Sequence, residues 1–183
     1  MMGTGRIHMY YGDGKGKTTA AVGQAVRAAG AGLQVLFFQF LKDNSSNERK
    51  ILESVPGITC LPGRDQVKFV SRMNGDEKAE LRHYNNKALD EIVKFCTNFD
   101  VLVLDESLCA IHLNVLSEEK IRSFLEHKPR GLEIIMTGHE VSQDLLDLAD
   151  YATMMMKVKH PYDRKVQARE GIAVSYTHLT LPT

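Results

Sequence analysis

The chain has no tryptophan, no excess of either charge, few cysteines and no long apolar run, and these shortages remove whole classes of function. Among its 183 residues, 23 Lys and Arg balance 23 Asp and Glu. A protein that held nucleic acid or another polyanion without specificity would carry a basic excess, so no nucleic-acid partner is expected, while a local basic pocket stays open. Residues 33–41 are broken by Gln34 and Gln39, and the run at 101–104 is only four residues long. A helix that crosses a bilayer needs roughly 20 apolar residues, so no membrane partner is expected either. The N-terminus has an early Arg6 and no apolar stretch of the secretory kind. The three cysteines, Cys60, Cys96 and Cys109, make no CxxC and no zinc spacing. Scattered thiols in odd number read as reduced core residues of a cytoplasmic protein.

What is present is ordinary in bulk. Hydrophobic residues make up 43% and charged residues 25%, as in a soluble globular domain. A chain of this length forms one domain that folds without disulfide or metal. Strand-like runs at 6–11, 34–40, 58–61, 100–104, 132–137 and 151–158 alternate with helical patterns at 18–29 and 142–149. Another helix opens at Ser117. A long one follows Asn74 and Glu77, which resemble a capping box, and its apolar face is expected at Leu81, Tyr84, Ala88, Ile92 and Phe95. Strands alternating with helices predict a single α/β domain over residues 1–172, with a mostly parallel sheet flanked by helices.

Residues 174–183 read differently, with no Asp, Glu, Lys or Arg and no helical period. They resemble, residue for residue, the translation of a transposase adapter used in DNA library preparation. The expectation is a non-native tail over 173–183, set apart from fold reasoning. A genuine strand-like tail is the other reading, since Val, Tyr and Thr favour strands.

The sharpest motif is Gly12-Asp13-Gly14-Lys15-Gly16-Lys17-Thr18-Thr19, between a strand-like run and a helical one. Glycines let backbone N–H groups curl around phosphate oxygens without Cβ clashes. The helix that follows aims its positive end at the anion. Lys17 adds a point charge and Thr18 can ligate Mg²⁺. The motif is one residue shorter than G-x-x-x-x-G-K-[ST], with Tyr11 at the first-glycine position. A glycine-rich turn with incidental lysines is the bland alternative, but Lys15, Lys17 and Thr18 serve no packing need there. Asp105-Glu106 ends the apolar run at 101–104, where open α/β sheets bind ligands. A carboxylate there would hold Mg²⁺ directly or through water, and the sequence leaves open which of the two does so.

At these residues the chain resembles one family, the ATP:corrinoid adenosyltransferases of the P-loop type. The resemblance runs from about Arg6 to Ile172. It rests on YGDGKGKTTAA from Tyr11, RAAGAG from Arg27, QFLK from Gln39, VLDE from Val103, MTG from Met136, AD from Ala149, VKHPYD from Val158 and AREGI from Ala168. It implies a P-loop NTPase-like, RecA-like fold. It also implies transfer of the 5′-deoxyadenosyl group of ATP to the Co(I) of a reduced corrinoid, with release of triphosphate, in adenosylcobalamin biosynthesis or salvage. The cobalt is then the nucleophile, and the protein supplies orientation and electrostatics. By the resemblance, residues 12–19 cradle the triphosphate, Lys15 and Lys17 neutralise the leaving group, and Thr18 with Glu106 or Asp105 fixes Mg²⁺ or Mn²⁺. A flavodoxin-type reductant and a homodimer are also implied.

The family's aromatic segment ahead of the long helix corresponds to Phe69-Val70-Ser71. Phe69 keeps the first aromatic as a candidate corrinoid contact, with a core or helix-start anchor as its other reading, and Ser71 stands where a second aromatic is expected. His139, Met154 and Arg164-Lys165 also depart from the family pattern. For His160 placement near the nucleotide or corrinoid stands beside the simpler reading, a turn histidine ahead of Pro161, and 154–156 reads as core or surface packing rather than a cofactor site. Two other functions remain to be weighed: a P-loop nucleoside kinase or NTPase, which would release ADP, and a non-catalytic nucleotide or corrinoid carrier.

Overall fold

A computed structural model describes residues 3–166 and 169–172, and the adapter-like tail lies outside them. Six strands, β1 (Ile7–Tyr11), β2 (Val35–Gln39), β3 (Ile58–Cys60), β4 (Val101–Asp105), β5 (Glu133–Thr137) and β6 (Tyr151–Met154), form one sheet in the order β3-β2-β4-β5-β1-β6. Every neighbouring pair is parallel. The helices are α1 (Lys17–Gly30), α2 (Asn47–Leu52), α3 (Gly75–Phe95), α4 (Ser107–His112), α5 (Glu118–Glu126) and α6 (Gln143–Leu146). This is the RecA-like, helix-flanked parallel sheet expected from sequence, with β5 between the strand that leads into the glycine loop and the strand that carries Asp105.

β2 and β4 are buried along their whole length, which is why they read as continuous apolar runs rather than as alternation. Their residues divide between two cores. Val35, Phe37, Val101, Val103 and Ile135 pack with Ala21, Ala25 and Ala28 of α1 and Leu52 of α2. Leu36, Phe38, Leu102, Leu104, Ile134 and Met136 pack with Leu81, Leu89 and Ile92 of α3, Leu108 of α4, Ile121 of α5 and Leu145 of α6. The small alanines on α1 let that helix lie close on the sheet, directly behind the glycine loop.

The capping box forms: Asn74 Oδ1 accepts the Glu77 N–H at 2.9 Å and Glu77 Oε2 accepts the Asn74 N–H at 2.8 Å, a device worth about 1 kcal/mol. The buried stripe of α3 is rotated from the expected one. It runs through Leu81, Asn85, Leu89 and Ile92, while Phe95 is 46% exposed. The polar residue in that stripe hid it: Asn85 is buried because its Nδ2 donates to the Val115 carbonyl at 2.9 Å. Helices α2 and α4, six residues each, are too short to show a period. α6 and β6 are shorter than the sequence suggested. Past Met154 the chain leaves the ladder and crosses the glycine loop. Among the described residues no helix is long and apolar enough to cross a membrane.

Candidate active site

The strand ends build the site. Tyr11, Gln39, Asp105 and Thr137 are the last residues of β1, β2, β4 and β5, so they share the carboxyl edge of the sheet, where ligands bind in this architecture. The backbone then turns sharply. Gly12 and Gly16 have φ of 106° and 116°, and Leu41 and Glu106 take the left-handed conformation at 57° and 59°. Such conformations are disfavoured for residues with a Cβ. Here they return Lys42 and Glu106 toward the mouth of the loop.

Residues 12–16 form the turn between β1 and α1, and residues 17–19 begin the helix. Gly16 is the N-cap of α1, so the positive end of the helix opens onto the loop. Lys17 is buried and its ammonium donates to the Gly14 carbonyl at 2.7 Å, inside the turn. Burial lowers its affinity for a proton, and the charge of Glu106 opposes that effect. Lys15, Asp13 and Thr19 are exposed.

Thr18 and Asp105 meet as the sequence suggested. Asp105 Oδ1 accepts the hydroxyls of Thr18 at 2.9 Å and Thr137 at 2.7 Å. Its Oδ2 accepts Gln39 Nε2 at 3.1 Å and Lys42 Nζ at 2.9 Å. A carboxylate offers about four lone-pair sites, and all are engaged on a side chain with no exposed surface. Burial alone would push the Asp105 carboxyl up. The Lys42 charge, with hydrogen bonds from Lys42, Thr137 and Gln39, outweighs burial and holds it below its ordinary range. Burial would lower Lys42, yet Asp105, Glu106 and Glu48 hold it above the usual lysine range. Glu106 is pushed up by burial and by the neighbouring Asp105 charge, and its N–H donates to Thr137 Oγ1 at 2.8 Å.

Lys42, Gln39 and Thr137 carry no role in the sequence alone, although QFLK and MTG are marks of the resemblance. Their signal was position: each lies at or just beyond a strand's carboxyl end. Lys42 also reaches Glu48 at 3.2 Å and comes within 3.5 Å of Thr18 Oγ1. Phe69 lies ahead of α3. It leads into a 3-10 turn at Val70–Arg72, is 48% exposed, and has the Arg72 guanidinium 5.6 Å from its ring centre. That exposure removes the core reading, while the place of Phe69 at the head of the 3-10 turn, where its carbonyl accepts the Arg72 N–H at 2.8 Å, fits the helix-start anchor as well as a ring presented at the surface.

Among the described residues no three His, Cys, Asp or Glu side chains converge as a metal centre. The donor set is instead one hydroxyl and two adjacent carboxylates beside the glycine loop. That set suits a hard cation such as Mg²⁺, which takes one or two protein oxygens and completes its shell with substrate phosphates and water.

The family model of ATP:corrinoid adenosyltransferase BtuR/CobO/CobP matches residues 3–174. The chain belongs to this family. The Corrinoid adenosyltransferase CobA of Salmonella typhimurium is 33% identical over 177 residues, covering 92% of this chain and 85% of that one. The Corrinoid adenosyltransferase of Escherichia coli K12 is 32% identical over 169 residues, with the same coverage of both chains. Among solved structures, EssC (ATPases 2 and 3) from Geobacillus thermodenitrificans is similar at a TM-score of 0.49 and 16% identity, covering 95% of this chain and 36% of that one. Members of the family are transferases, and the glycine loop, Thr18 and Asp105 lie together in this one.

Proposed function

We propose that this chain transfers the 5′-deoxyadenosyl group of ATP to the Co(I) of a reduced corrinoid and releases triphosphate. The observation that carries the proposal is the pairing of Thr18 with Asp105 at 2.9 Å, at the head of α1, in a chain of this family. The corrinoid's Co(I) gives an electron pair to the ATP C5′, a Co–C bond forms, the C5′–O bond breaks, and its electrons leave on the triphosphate. The chain needs no nucleophile of its own. Its task is to hold the leaving group and neutralise the charge that grows on it.

Residues 12–19 would cradle the triphosphate, with the positive end of α1 directed at it. A phosphate oxygen would take the Lys17 ammonium from the Gly14 carbonyl, and the exposed Lys15 adds a second cation. Thr18 with Glu106 or Asp105 would hold Mg²⁺ or Mn²⁺. With the four acceptor positions of Asp105 already filled, binding there displaces one donor or runs through water. The ion would supply charge neutralisation between phosphate oxygens. Phe69, presented at the surface, is the candidate corrinoid contact.

The wider reading rests on family membership: a flavodoxin-type reductant, a homodimer and a cytoplasmic setting. Residues 1–172 are proposed as the single domain and 173–183 as the adapter-derived tail; the family match covers residues 3–174 and so reaches two residues into that tail.

The test is anaerobic incubation with ATP, Mg²⁺ and chemically reduced cobalamin, following Co–C formation by absorbance and the phosphate products by chromatography. Co–C product with intact triphosphate is expected. ADP without Co–C product would replace the proposal with a kinase or NTPase. Stoichiometric binding without turnover would replace it with a carrier.

A further inference from the structure

The first half of the glycine loop is occupied by the chain itself. After β6, residues 155–157 cross over it. The Met155 N–H donates to the Tyr11 carbonyl at 2.7 Å, and the Met155 carbonyl accepts the Gly14 N–H at 2.7 Å. A Cβ on Gly12 would come within 2.5 Å of the Met155 carbonyl oxygen. One on Gly14 would come within 2.7 Å of Met155 backbone and 2.8 Å of Met156. Those distances are too short for any side chain, so these two glycines are required by the crossing segment, whatever phosphate also asks of them. One side chain of the loop grips the segment: Asp13 Oδ1 accepts the Lys157 N–H at 2.9 Å. Lys157 Nζ reaches Asp163 Oδ1 at 3.1 Å, and the Asp163 N–H donates to the His160 carbonyl at 3.1 Å. The bond from Lys157 also holds the Asp13 carboxyl below its ordinary range.

We propose that Asp13 is a positioning residue that fastens residues 155–157 across the phosphate loop, so that binding a nucleoside triphosphate and seating this segment are thermodynamically coupled. The proposal rests on reading residues 12–19 as the triphosphate site. Its chemistry has two opposing parts. As an anion, Asp13 repels triphosphate. As an acceptor, it keeps the loop in the shape that Met155 and Lys157 define. Two free energies that share one loop conformation are linked: whatever ATP gains from the seated segment, the segment gains from ATP.

Asp13→Asn and Asp13→Ala separate the two parts, because both remove the charge and only Asn keeps an acceptor oxygen. ATP affinity is measured by calorimetry with Mg²⁺ present, and hydrogen exchange of the peptide spanning 155–158 is followed with and without ATP. Asp13→Ala is expected to bind ATP about 3- to 10-fold more weakly than Asp13→Asn, the effect of one lost hydrogen bond. ATP should slow exchange across 155–158 in the wild type and in Asp13→Asn, and much less in Asp13→Ala. A merely structural Asp13 would speed exchange in Asp13→Ala equally with and without ATP. Equal affinities of the two variants, or an undiminished ATP effect in Asp13→Ala, overturns the proposal while leaving the triphosphate site intact. A wild-type chain that binds no ATP overturns both. The wild-type exchange comparison stands without any variant, and no slowing there also overturns the coupling.

Discussion

The Lys42 ammonium lies 2.9 Å from Oδ2 of Asp105, joining a side chain that is 21% exposed to one with no exposure at all. Glu48 adds a second carboxylate at 3.2 Å, but it is the buried partner that sets the consequences of losing the cation. Removing one member of a buried pair costs more than the pair contributes, because the remaining charge is stranded away from water. Lys42→Met keeps an unbranched apolar stem and deletes the ammonium. We expect it to lower the unfolding free energy by about 3 kcal/mol, a fall of roughly 6–12 °C in Tm for a domain of this size. Urea and thermal melts at neutral pH read both. A variant as stable as the wild type would mean that Asp105 is neutralised some other way.

His139 gives a prediction with a sign. Its carbonyl accepts the Gly12 N–H at 2.8 Å, and its own N–H donates to Cys109 Sγ at 3.2 Å, so the residue is built into the loop's support. Burial lowers the proton affinity of the imidazole, and the Lys17 charge lowers it further, with Asp13 and Glu140 opposing. The unfolded chain therefore takes up this proton first as pH falls. Stability from this group is present above its ordinary value near 6.5 and is lost as pH drops through the lower folded value. Wild type should lose more unfolding free energy between pH 7.5 and 5.5 than His139→Gln does, measured by urea denaturation at each pH. Parallel pH curves for the two proteins would remove His139 as the source.

Most of the sheet was legible because buried parallel strands print as short apolar runs, and residues 34–40 and 100–104 are such runs. The glycine loop was legible because phosphate chemistry requires rare residues at fixed spacing. What stayed hidden has physical causes. Asn85 looked like a surface residue, since sequence cannot show that the Val115 carbonyl waits for its amide. Met155 carried no signal at all. It holds the loop through its backbone N–H and C=O, which every non-proline residue possesses. In the sequence Gly12 and Gly14 answer to phosphate alone, while the structure shows a second claim on them from the chain's own backbone. Lys42 lies 63 residues from Asp105, and only the β2–β4 register, with Gln39 beside Asp105, brings them together.

Lys17, proposed to neutralise the leaving triphosphate, lets that role be separated from stability. Its ammonium is buried and makes a 2.7 Å bond to the Gly14 carbonyl, and its proton affinity is lowered mainly by that burial. Deleting it removes one hydrogen bond to the Gly14 carbonyl, worth about 1 kcal/mol, and also relieves a desolvated charge. The leaving triphosphate has no such compensation. It gathers charge as the C5′–O bond breaks, and losing a buried cation aimed at developing charge costs about 100-fold or more in rate. Lys17→Ala should therefore melt close to the wild type while its rate of Co–C bond formation in the anaerobic assay falls by at least about that factor. Thr18→Ser keeps the hydroxyl that meets Asp105 and should retain most of the activity in the same assay. Full activity in Lys17→Ala would remove residues 12–19 from the leaving-group site. A large loss of stability with an equal loss of activity would make Lys17 a packing residue instead.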